Sequence, residues 1–243
     1  MLKTAYKVLH TDIGDKHRNA CFGKARRILA GVREINSPTI YLKNFAEADE
    51  YLKTRPELKF VHIPAREEGQ PDWPSRSGII GVWASNYEAW MAFLETDADV
   101  LYIFEDDASI SPNYDLITKR YIQELPEDWD FFSTFVPRDC YQWYEGEPDT
   151  FEIGAPNVCK NYQDWSCAAY VVSRSGIQKV LGNIAEHGIS DPIDYYMFNV
   201  SQLHNPTIKF NTYTIKPGSY KPVGLNDQAA WFSSIGDTEV NYA

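Results

Sequence analysis

Hydrophobic and polar positions alternate between strand-like and helix-like spacing along the first half of the chain. Short apolar runs predict strands at residues 4–10, 39–42, 59–63 and 100–104. The segments between them predict helices at residues 21–32, 46–53 and 78–94. The last helix has an apolar stripe that includes Trp83 and Trp90, as a buried helix does. The run at 100–104 is continuously apolar, which is typical of a central strand.

The second half of the chain continues this alternation, with one long interruption. The pattern predicts strands at residues 130–135, 167–172 and 207–215, and helices at residues 113–124, 175–184 and 192–203. Residues 136–165 are aromatic and polar without a clear period, which is typical of a binding loop or an added hairpin. Three prolines in residues 64–77 predict a loop that crosses an opening.

This order of elements predicts an α/β fold of Rossmann type, with a mostly parallel central sheet flanked by helices. The 243 residues contain no internal repeat, low-complexity tract or linker, so we expect a single domain. Ligands of such sheets bind at the carboxyl ends of the strands. The residues that follow the run at 100–104 are therefore the first candidates for chemistry.

The composition excludes several classes of protein. Apolar residues make up 44 % and charged residues 23 %, which argues against disordered, collagen-like and coiled-coil chains. No apolar run approaches the roughly 20 residues of a membrane span, and residues 1–9 lack the apolar stretch of a signal peptide. The cysteines have no metal-ligand spacing, so we expect reduced thiols in a cytoplasmic protein. They are Cys21, Cys140, Cys159 and Cys167.

Charge is unevenly distributed along a chain whose net charge is −11. Residues 1–60 carry 12 basic and 7 acidic side chains, whereas residues 61–243 carry 11 and 27. Six basic residues and no acid lie between Lys16 and Arg33, which suits an anionic ligand such as a nucleotide diphosphate, although a solvated helix face has the same pattern. The acidic remainder argues against a protein that binds nucleic acid over its whole surface.

Three adjacent acids, Glu105, Asp106 and Asp107, follow directly on the apolar run at 100–104. Such a cluster is unfavourable at a strand end unless a cation or hydrogen-bond donors compensate it. Alternate residues of an extended segment point the same way, so Glu105 and Asp107 could address one Mg²⁺ or Mn²⁺ directly or through water. A divalent ion that bridges carboxylates and a diphosphate fits this pattern. A solvated acidic loop that caps a turn is the alternative.

Four short motifs lie in order along residues 78–198. Gly81 and Ser85 belong to the helix before the acidic triplet, and the triplet ends an aliphatic strand. Residues 168–176 read Ala-Ala-Tyr-Val-Val-Ser-Arg-Ser-Gly, and residues 191–196 read Asp-Pro-Ile-Asp-Tyr-Tyr. In these features the chain resembles glycosyltransferase family 25, the lipooligosaccharide β-galactosyltransferases and collagen galactosyltransferases.

The chain departs from the family pattern at two positions of the helix before the triplet. Val82 stands where the family usually has Cys, and Asn86 where it usually has His. The first 60 residues match only loosely, through Asp15 and Arg18. These departures concern the sugar donor and the acceptor more than the fold.

The resemblance implies a single GT-A domain, with a nucleotide-sugar half at about 1–110 and an acceptor half at about 111–243. It implies that Glu105, Asp106 and Asp107 hold Mn²⁺, or Mg²⁺, against the donor diphosphate, with Asp107 the most direct ligand. The donor would be a nucleotide-diphosphate sugar, preferably a UDP-sugar, and the acceptor a saccharide, as in lipopolysaccharide biosynthesis.

The family inverts the anomeric carbon, which calls for a carboxylate that deprotonates the acceptor hydroxyl. Asp194 is the first candidate for this base and Asp191 the second. Helix-start chemistry alone also explains both residues, because Asp191 fits the N-cap, Pro192 the first helical position and Asp194 the third.

Further residues are candidates for contacts with the substrates. Arg76, before the helix at 78–94, could meet a phosphate with the help of the helix N-terminus. Arg18, with Lys16 beside it, could contact the nucleotide, and Asp106 belongs to the same donor site. Exposed basic residues are the alternative for these arginines. Aromatic side chains that could stack on a sugar, or fill a small core under the loop, are Trp143, Tyr144 and Trp165. The isolated histidines His62, His187 and His204 are expected to be structural.

Three other functions remain open at this point. A glycosyltransferase could modify a hydroxylated base in DNA, as some bacteriophage enzymes do, and the basic first 60 residues leave room for this. A non-catalytic module could bind a nucleotide sugar or glycan, and the departures from the family pattern at Val82 and Asn86 support this hypothesis. A metal-dependent phosphohydrolase ranks last, because the sequence lacks a further set of His and Asp ligands.

Overall fold

The computed structural model describes residues 2–11, 16–61, 76–136, 153–160, 166–203, 209–216 and 218–225. Its helices are α1 (Lys16–Ile28), α2 (Phe45–Thr54), α3 (Arg76–Leu94), α4 (Tyr114–Ile122), α5 (Arg174–His187) and α6 (Ile193–Leu203). Its strands are β1 (Thr4–Leu9), β2 (Arg33–Glu34), β3 (Val100–Glu105), β4 (Ala108–Ile110), β5 (Phe131–Ser133), β6 (Val158–Lys160), β7 (Ala169–Ser173), β8 (Thr212–Ile215) and β9 (Val223–Leu225).

Within these residues, seven strands form a central sheet in the order β2-β1-β3-β7-β5-β8-β6. Strands β2, β1, β3, β5 and β8 run in one direction, whereas β7 and β6 run in the other. Strands β4 and β9 pair in a small separate sheet. The predicted α/β fold with a mostly parallel sheet is confirmed.

Helices cover both faces of this sheet. Helices α3, α5 and α6 share one apolar cluster with Leu101 and Ile103 of β3, and α1 and α4 share the other with Tyr102 and Phe104. Successive residues of a strand face opposite sides of the sheet, so burial of both faces explains why β3 is apolar throughout. None of the helices among the described residues is long and apolar enough to cross a bilayer.

The predicted strand at 39–42 is wrong, because these residues form no strand. Of the predicted strand at 59–63, residues 62 and 63 lie outside the described part of the chain, and residues 59–61 contain one isolated parallel bridge, from Phe60 to Ile189. The strand next to β1 is instead the two-residue β2, which the apolar pattern does not mark because both of its residues are exposed. Helix α3 begins at Arg76, two residues before the predicted start at Gly78.

The segment at 39–42 packs on α3 rather than on a strand. The Ser85 hydroxyl accepts a hydrogen bond from the Ile40 N–H at 2.8 Å and donates to the Gly81 carbonyl at 2.8 Å. A Cβ atom at Gly81 would lie 3.1 Å from the Ile40 carbonyl oxygen. The glycine and serine of the first motif therefore hold this segment close against the helix.

Candidate functional site

The acidic triplet lies at the carboxyl end of β3, near the middle of the sheet. Glu105 ends the strand, and Asp106 and Asp107 form the turn into β4, each 4 % exposed. Glu105 continues the phase of Ile103, toward α3 and α6, and Asp106 that of Phe104, toward α1. Strand alternation therefore directs the first two acids to opposite sides of the sheet.

Both carboxylate oxygens of Asp106 face polar groups of the β1–α1 region. His10, the residue after β1, places Nδ1 2.9 Å from Oδ2, and the Thr11 N–H donates to the same oxygen at 3.2 Å. The buried guanidinium of Arg18 in α1 lies 3.6 Å from Oδ1. These groups offset the cost of burying the middle carboxylate.

Glu105 lies where several negative charges meet. Burial and, in decreasing order, the charges of Asp107, Asp194 and Asp106 raise the pKa of its carboxyl to about 8, while Arg18 acts to lower it. The contribution of Asp194 shows that the structure brings the start of α6 to the acids of β3. Such a concentration of buried and half-buried carboxylates favours a bound cation.

Asp194 lies in the first turn of α6. Its Oδ1 accepts a hydrogen bond from the Tyr195 N–H at 2.8 Å. Burial raises the pKa of Asp194 to about 6, although the backbone hydrogen bonds at Tyr195 and Asp194 act to lower it. An acid with a pKa near neutrality can accept a proton and release it again under ordinary conditions.

The start of α6 is fixed by α3 and α5. The Trp83 indole N–H donates to the Asp191 carbonyl at 2.9 Å, and its ring meets the Tyr196 ring edge to face with centroids 5.0 Å apart. The Tyr196 hydroxyl in turn accepts a hydrogen bond from the Asn183 amide. Buried aromatic packing thus determines where the first turn of α6, and Asp194 with it, lies.

Asp191 does not occupy the helix position predicted for it. Helix α6 begins at Ile193, and the Tyr196 N–H donates to the Pro192 carbonyl at 2.9 Å, so Pro192 is the N-cap and Asp191 precedes it. The prediction is wrong by one residue, because proline's fixed φ suits both positions. The Asp191 carboxylate accepts a hydrogen bond from the Ser190 hydroxyl.

Asn86 belongs to a buried polar network between α3 and β7. The Tyr170 hydroxyl donates to the Asn86 side-chain oxygen at 2.5 Å and accepts from the Trp90 indole N–H at 3.2 Å. The Asn86 amide also donates to the Val82 carbonyl at 2.9 Å. Burial, Cys167 and Glu105 raise the pKa of Tyr170, in that order of importance, which relates the network to the acids. Asn86 therefore has a packing role in joining α3 to β7.

The donor atoms of this site suit a hard divalent ion that a ligand helps to hold. Glu105 and Asp107 offer carboxylate oxygens, whereas Asp106 is occupied by the β1–α1 region. No group of three His, Cys, Asp or Glu residues within the described part of the chain is placed to hold a metal alone. Mg²⁺ in phosphate-transfer sites commonly uses one or two carboxylates and completes its shell with substrate phosphates and water. The residues present fit that arrangement and not an all-protein cage.

Several predicted contacts fall outside what the structure describes. Arg76 is the first residue of α3, but its side chain is not among those described. Asp15 and most of the two predicted loops also lie outside the described residues, as do the aromatic candidates and two of the histidines. These are Trp143, Tyr144, Trp165, His62 and His204. His187 pairs with Glu186 at the end of α5.

His10 is a site residue that the sequence reasoning missed. Its ring stacks on Phe22 with centroids 4.3 Å apart and an interplanar angle of 12°. The signal was present in the topology: if β1 and β3 are parallel neighbours, the residues after each strand emerge side by side. Leu9 pairs with Glu105, which places His10 beside Asp106.

The chain is similar in sequence to a known galactosyltransferase. No family model matches the chain. It is 24 % identical over 180 residues to procollagen galactosyltransferase 1-B of Xenopus laevis, an overlap of 70 % of this chain and 28 % of that protein. The chain therefore spans only about 28 % of the length of this curated relative.

Two solved structures are similar in outline. One is a glycosyltransferase involved in the glycosylation of the major capsid of PBCV-1, with a TM-score of 0.38, 8 % identity, and coverage of 86 % of this chain and 72 % of that chain. The other is a mutant of Drosophila β1,4-galactosyltransferase 7 in complex with manganese, UDP-Gal and xylobiose, with a TM-score of 0.29, 8 % identity, and coverage of 94 % and 96 %.

Proposed function

We propose that the chain is a GT-A-type glycosyltransferase of the family 25 kind. It moves a hexose from a nucleotide-diphosphate sugar, preferably a UDP-sugar, to a hydroxyl group of a saccharide acceptor. The observation that carries the proposal is the convergence of Glu105, Asp107 and Asp194 at the carboxyl end of β3. The sequence similarity to a galactosyltransferase over 180 residues supports it.

Glu105 and Asp107 would hold a divalent ion, Mn²⁺ or Mg²⁺, together with the donor diphosphate. When bound, such an ion offsets the negative charge that develops on the nucleoside diphosphate as the glycosidic bond breaks. The protein contributes two oxygen donors from one turn, and the raised pKa of Glu105 reflects the burial and the neighbouring acids that a cation would compensate. Arg76 remains a prediction for the phosphates, at the first residue of a 19-residue helix.

Asp194 would act as the general base. Its carboxylate takes the proton of the acceptor hydroxyl as the oxygen attacks the anomeric carbon from the face opposite the leaving diphosphate, which inverts the configuration. A pKa of about 6 keeps it ionised at neutral pH and still basic enough to accept the proton. Asp191 is the second candidate for this role. No contact within the described residues favours a DNA acceptor over a saccharide.

Thermal unfolding with a panel of nucleoside diphosphates and nucleotide sugars tests the donor site, each in Mn²⁺ and in EDTA. We expect a Mn²⁺-dependent rise in Tm with a uridine nucleotide, since ligands that bind only the folded state stabilise it. Asp107→Asn should lose this rise and keep its fold. Asp97→Asn is the matched control, because Asp97 precedes β3 at the far end of the sheet and pairs on the surface with Lys3.

Product analysis then tests the transfer. The nucleotide sugar that raises Tm is incubated with a panel of saccharides, and products are identified by mass spectrometry. A sugar-extended acceptor and free nucleoside diphosphate confirm the proposal. Release of inorganic phosphate without a transferred sugar, or absence of any nucleotide effect on the folded protein, would contradict it.

A further inference from the structure

The three acids at the end of β3 have different surroundings, and this difference defines separate tasks for them. Asp106 points toward α1, where both of its oxygens meet polar groups. Glu105 continues the phase of Ile103, toward α3 and α6. One strand end thus presents a middle carboxylate whose two oxygens meet protein groups, and a neighbouring carboxylate on the other side of the sheet.

His10 is held firmly in its place beside Asp106. Its ring lies flat on Phe22, and its backbone N–H donates to the Thr39 hydroxyl at 3.3 Å. Because carboxylate oxygens accept hydrogen bonds, the 2.9 Å contact with Asp106 selects the form of the His10 ring that carries a proton on Nδ1. Phe22 and Arg18 lie one turn apart on the same face of α1, so a single helix supports both side-chain partners of Asp106.

The pairing of β1 with β3 brings His10 and Asp106 together, although the two residues are far apart in the sequence. Leu9 pairs with Glu105 across parallel β1 and β3, and the hydrogen bonds from His10 and Thr11 to Asp106 extend that pairing past the end of both strands. The turn at 105–107 is therefore tied to β1 on one side and, through Arg18, to α1. A turn fixed in this way gives Glu105 and Asp107 one defined placement.

We propose that Asp106 is an anchor rather than a metal ligand, and that His10 and Arg18 are positioning residues which, through Asp106, orient Glu105 and Asp107 toward the cation and donor diphosphate. This inference rests on the proposed function, because it assumes that a divalent ion binds at the triplet. It removes one acid from the set of three predicted ligands and gives roles to His10 and Phe22.

Two variants separate the hydrogen bond of His10 from its ring contact. His10→Asn keeps a donor nitrogen at the Nδ1 position and removes the ring, whereas His10→Phe keeps the stack on Phe22 and removes the donor. His187→Phe, a histidine at the end of α5, is the matched control. Binding of Mn²⁺ is measured in the presence of UDP by the electron paramagnetic resonance signal of the free ion, which needs no catalysis, and a thermal melt of each variant reports folding.

We expect His10→Phe to weaken Mn²⁺ binding by about 10-fold or more, as loss of an outer-shell partner does. His10→Asn should bind within about threefold of the wild type, and His187→Phe should match it. In an Asp106→Ala background, His10→Phe should cause no additional loss, since a residue that acts through Asp106 has no effect without it. An effect of equal size in both backgrounds, or wild-type binding by His10→Phe, would overturn the inference.

A comparison of Mn²⁺ binding by the Asp106→Asn and Asp107→Asn variants tests directly whether Asp106 is an anchor or a ligand. If Asp106 is the anchor, its asparagine variant, whose side-chain oxygen can still accept from His10, weakens Mn²⁺ binding no more than His10→Phe does, whereas Asp107→Asn abolishes binding. Equal loss in the two variants would make Asp106 a ligand and overturn the inference alone. Wild-type protein that binds no Mn²⁺ with UDP or any other nucleotide would overturn the proposed function, and this inference with it.

Discussion

At the scale of single residues, the site combines a buried carboxylate whose oxygens meet protein donors with a half-buried one that lies among other acids. Asp106 is matched by Arg18 and by two hydrogen-bond donors, as buried charges usually are. Glu105 lies among like charges, and the pKa of its carboxyl rises to about 8. A carboxyl group whose pKa is raised on folding makes the protein less stable at the pH values where it ionises. The free energy of unfolding of the metal-free protein should therefore fall toward alkaline pH.

Glu105→Gln should remove this loss of stability. In the wild type the ordinary pKa near 4.5 belongs to the unfolded chain and a pKa of about 8 to the folded chain, so the free energy of unfolding falls as pH rises between these values. In EDTA at pH 8.5 we expect the Gln variant to melt a few degrees higher than the wild type, on the scale of about 2 to 4 °C per kcal/mol. At pH 4.5 the two should melt alike.

Thermal melts from pH 4.5 to 9 in EDTA make this measurement, with Glu186→Gln on the surface of α5 as control. The same Gln variant should show no rise in Tm with Mn²⁺ and UDP. A Gln variant that is less stable than the wild type at pH 8.5 would mean that Glu105 makes favourable contacts as a carboxylate, and the electrostatic account of the site would be wrong.

Asp194→Asn isolates the proposed base. The amide keeps the size of the side chain and can still accept from the Tyr195 N–H, so the fold and the donor site should remain. Removal of a general base typically costs about 100-fold or more in turnover. We expect kcat for transfer to fall by this amount, while the Mn²⁺ and UDP dependence of Tm stays unchanged. Asp191→Asn serves as the comparison: if it loses turnover and Asp194→Asn does not, the base is Asp191.

At the scale of elements, close backbone approaches determine how the helices lie on the sheet. A Cβ atom at Gly176, in the first turn of α5, would lie 2.5 Å from the Asp130 carbonyl oxygen at the start of β5. The same helix contains Gly182, where a Cβ atom would meet nothing within 4 Å. Gly81 in α3 is intermediate, with 3.1 Å to the Ile40 oxygen. The three glycines therefore differ stepwise in the space that an alanine side chain would have.

Alanine at these glycines should change stability in opposite directions. Gly182→Ala should stabilise the protein by up to about 1 kcal/mol, the helix propensity gained. Gly176→Ala should destabilise it by about 1 to 3 kcal/mol, because backbone has to move. Gly81→Ala should fall between them. Urea unfolding of the three variants and the wild type measures the series, and a Gly176→Ala variant as stable as Gly182→Ala would contradict the described packing of α5 against β5.

The elements also show what the sequence could and could not predict. The long helix α3, the buried strand β3 and the acids at its end have strong local patterns, and the structure contains all three near the predicted positions. The predicted strand at 39–42 is wrong because an extended apolar segment that packs on a helix has the same pattern as a strand. The exposed two-residue β2 has no pattern at all. His10 joins the acids only through the pairing of β1 with β3, which no local period reveals.

At the scale of the whole molecule, the candidate site draws on both faces of the central sheet. His10 and Arg18 reach it from β1 and α1, whereas Asp194 reaches it from α6, which packs with α3 on the opposite face. The acids of β3 lie between these two groups, at the edge where the parallel strands end. If a donor nucleotide and its ion bind at this edge, their binding should stabilise elements on both faces of the sheet.

Hydrogen–deuterium exchange can show whether the two faces respond together. With Mn²⁺ and UDP at about 100 times their Kd, stabilisation of about 2.7 kcal/mol is expected, and with it a rise in Tm of about 5 to 10 °C. Peptides from residues 5–28 and from 190–203 should both become protected. The exchange of residues 95–99 should change less, because this segment precedes β3, at the opposite end of the strand from the acids. Protection confined to residues 5–28 would place the nucleotide on the β1–α1 side alone, and Asp194 would then be too remote from the donor to act as the base.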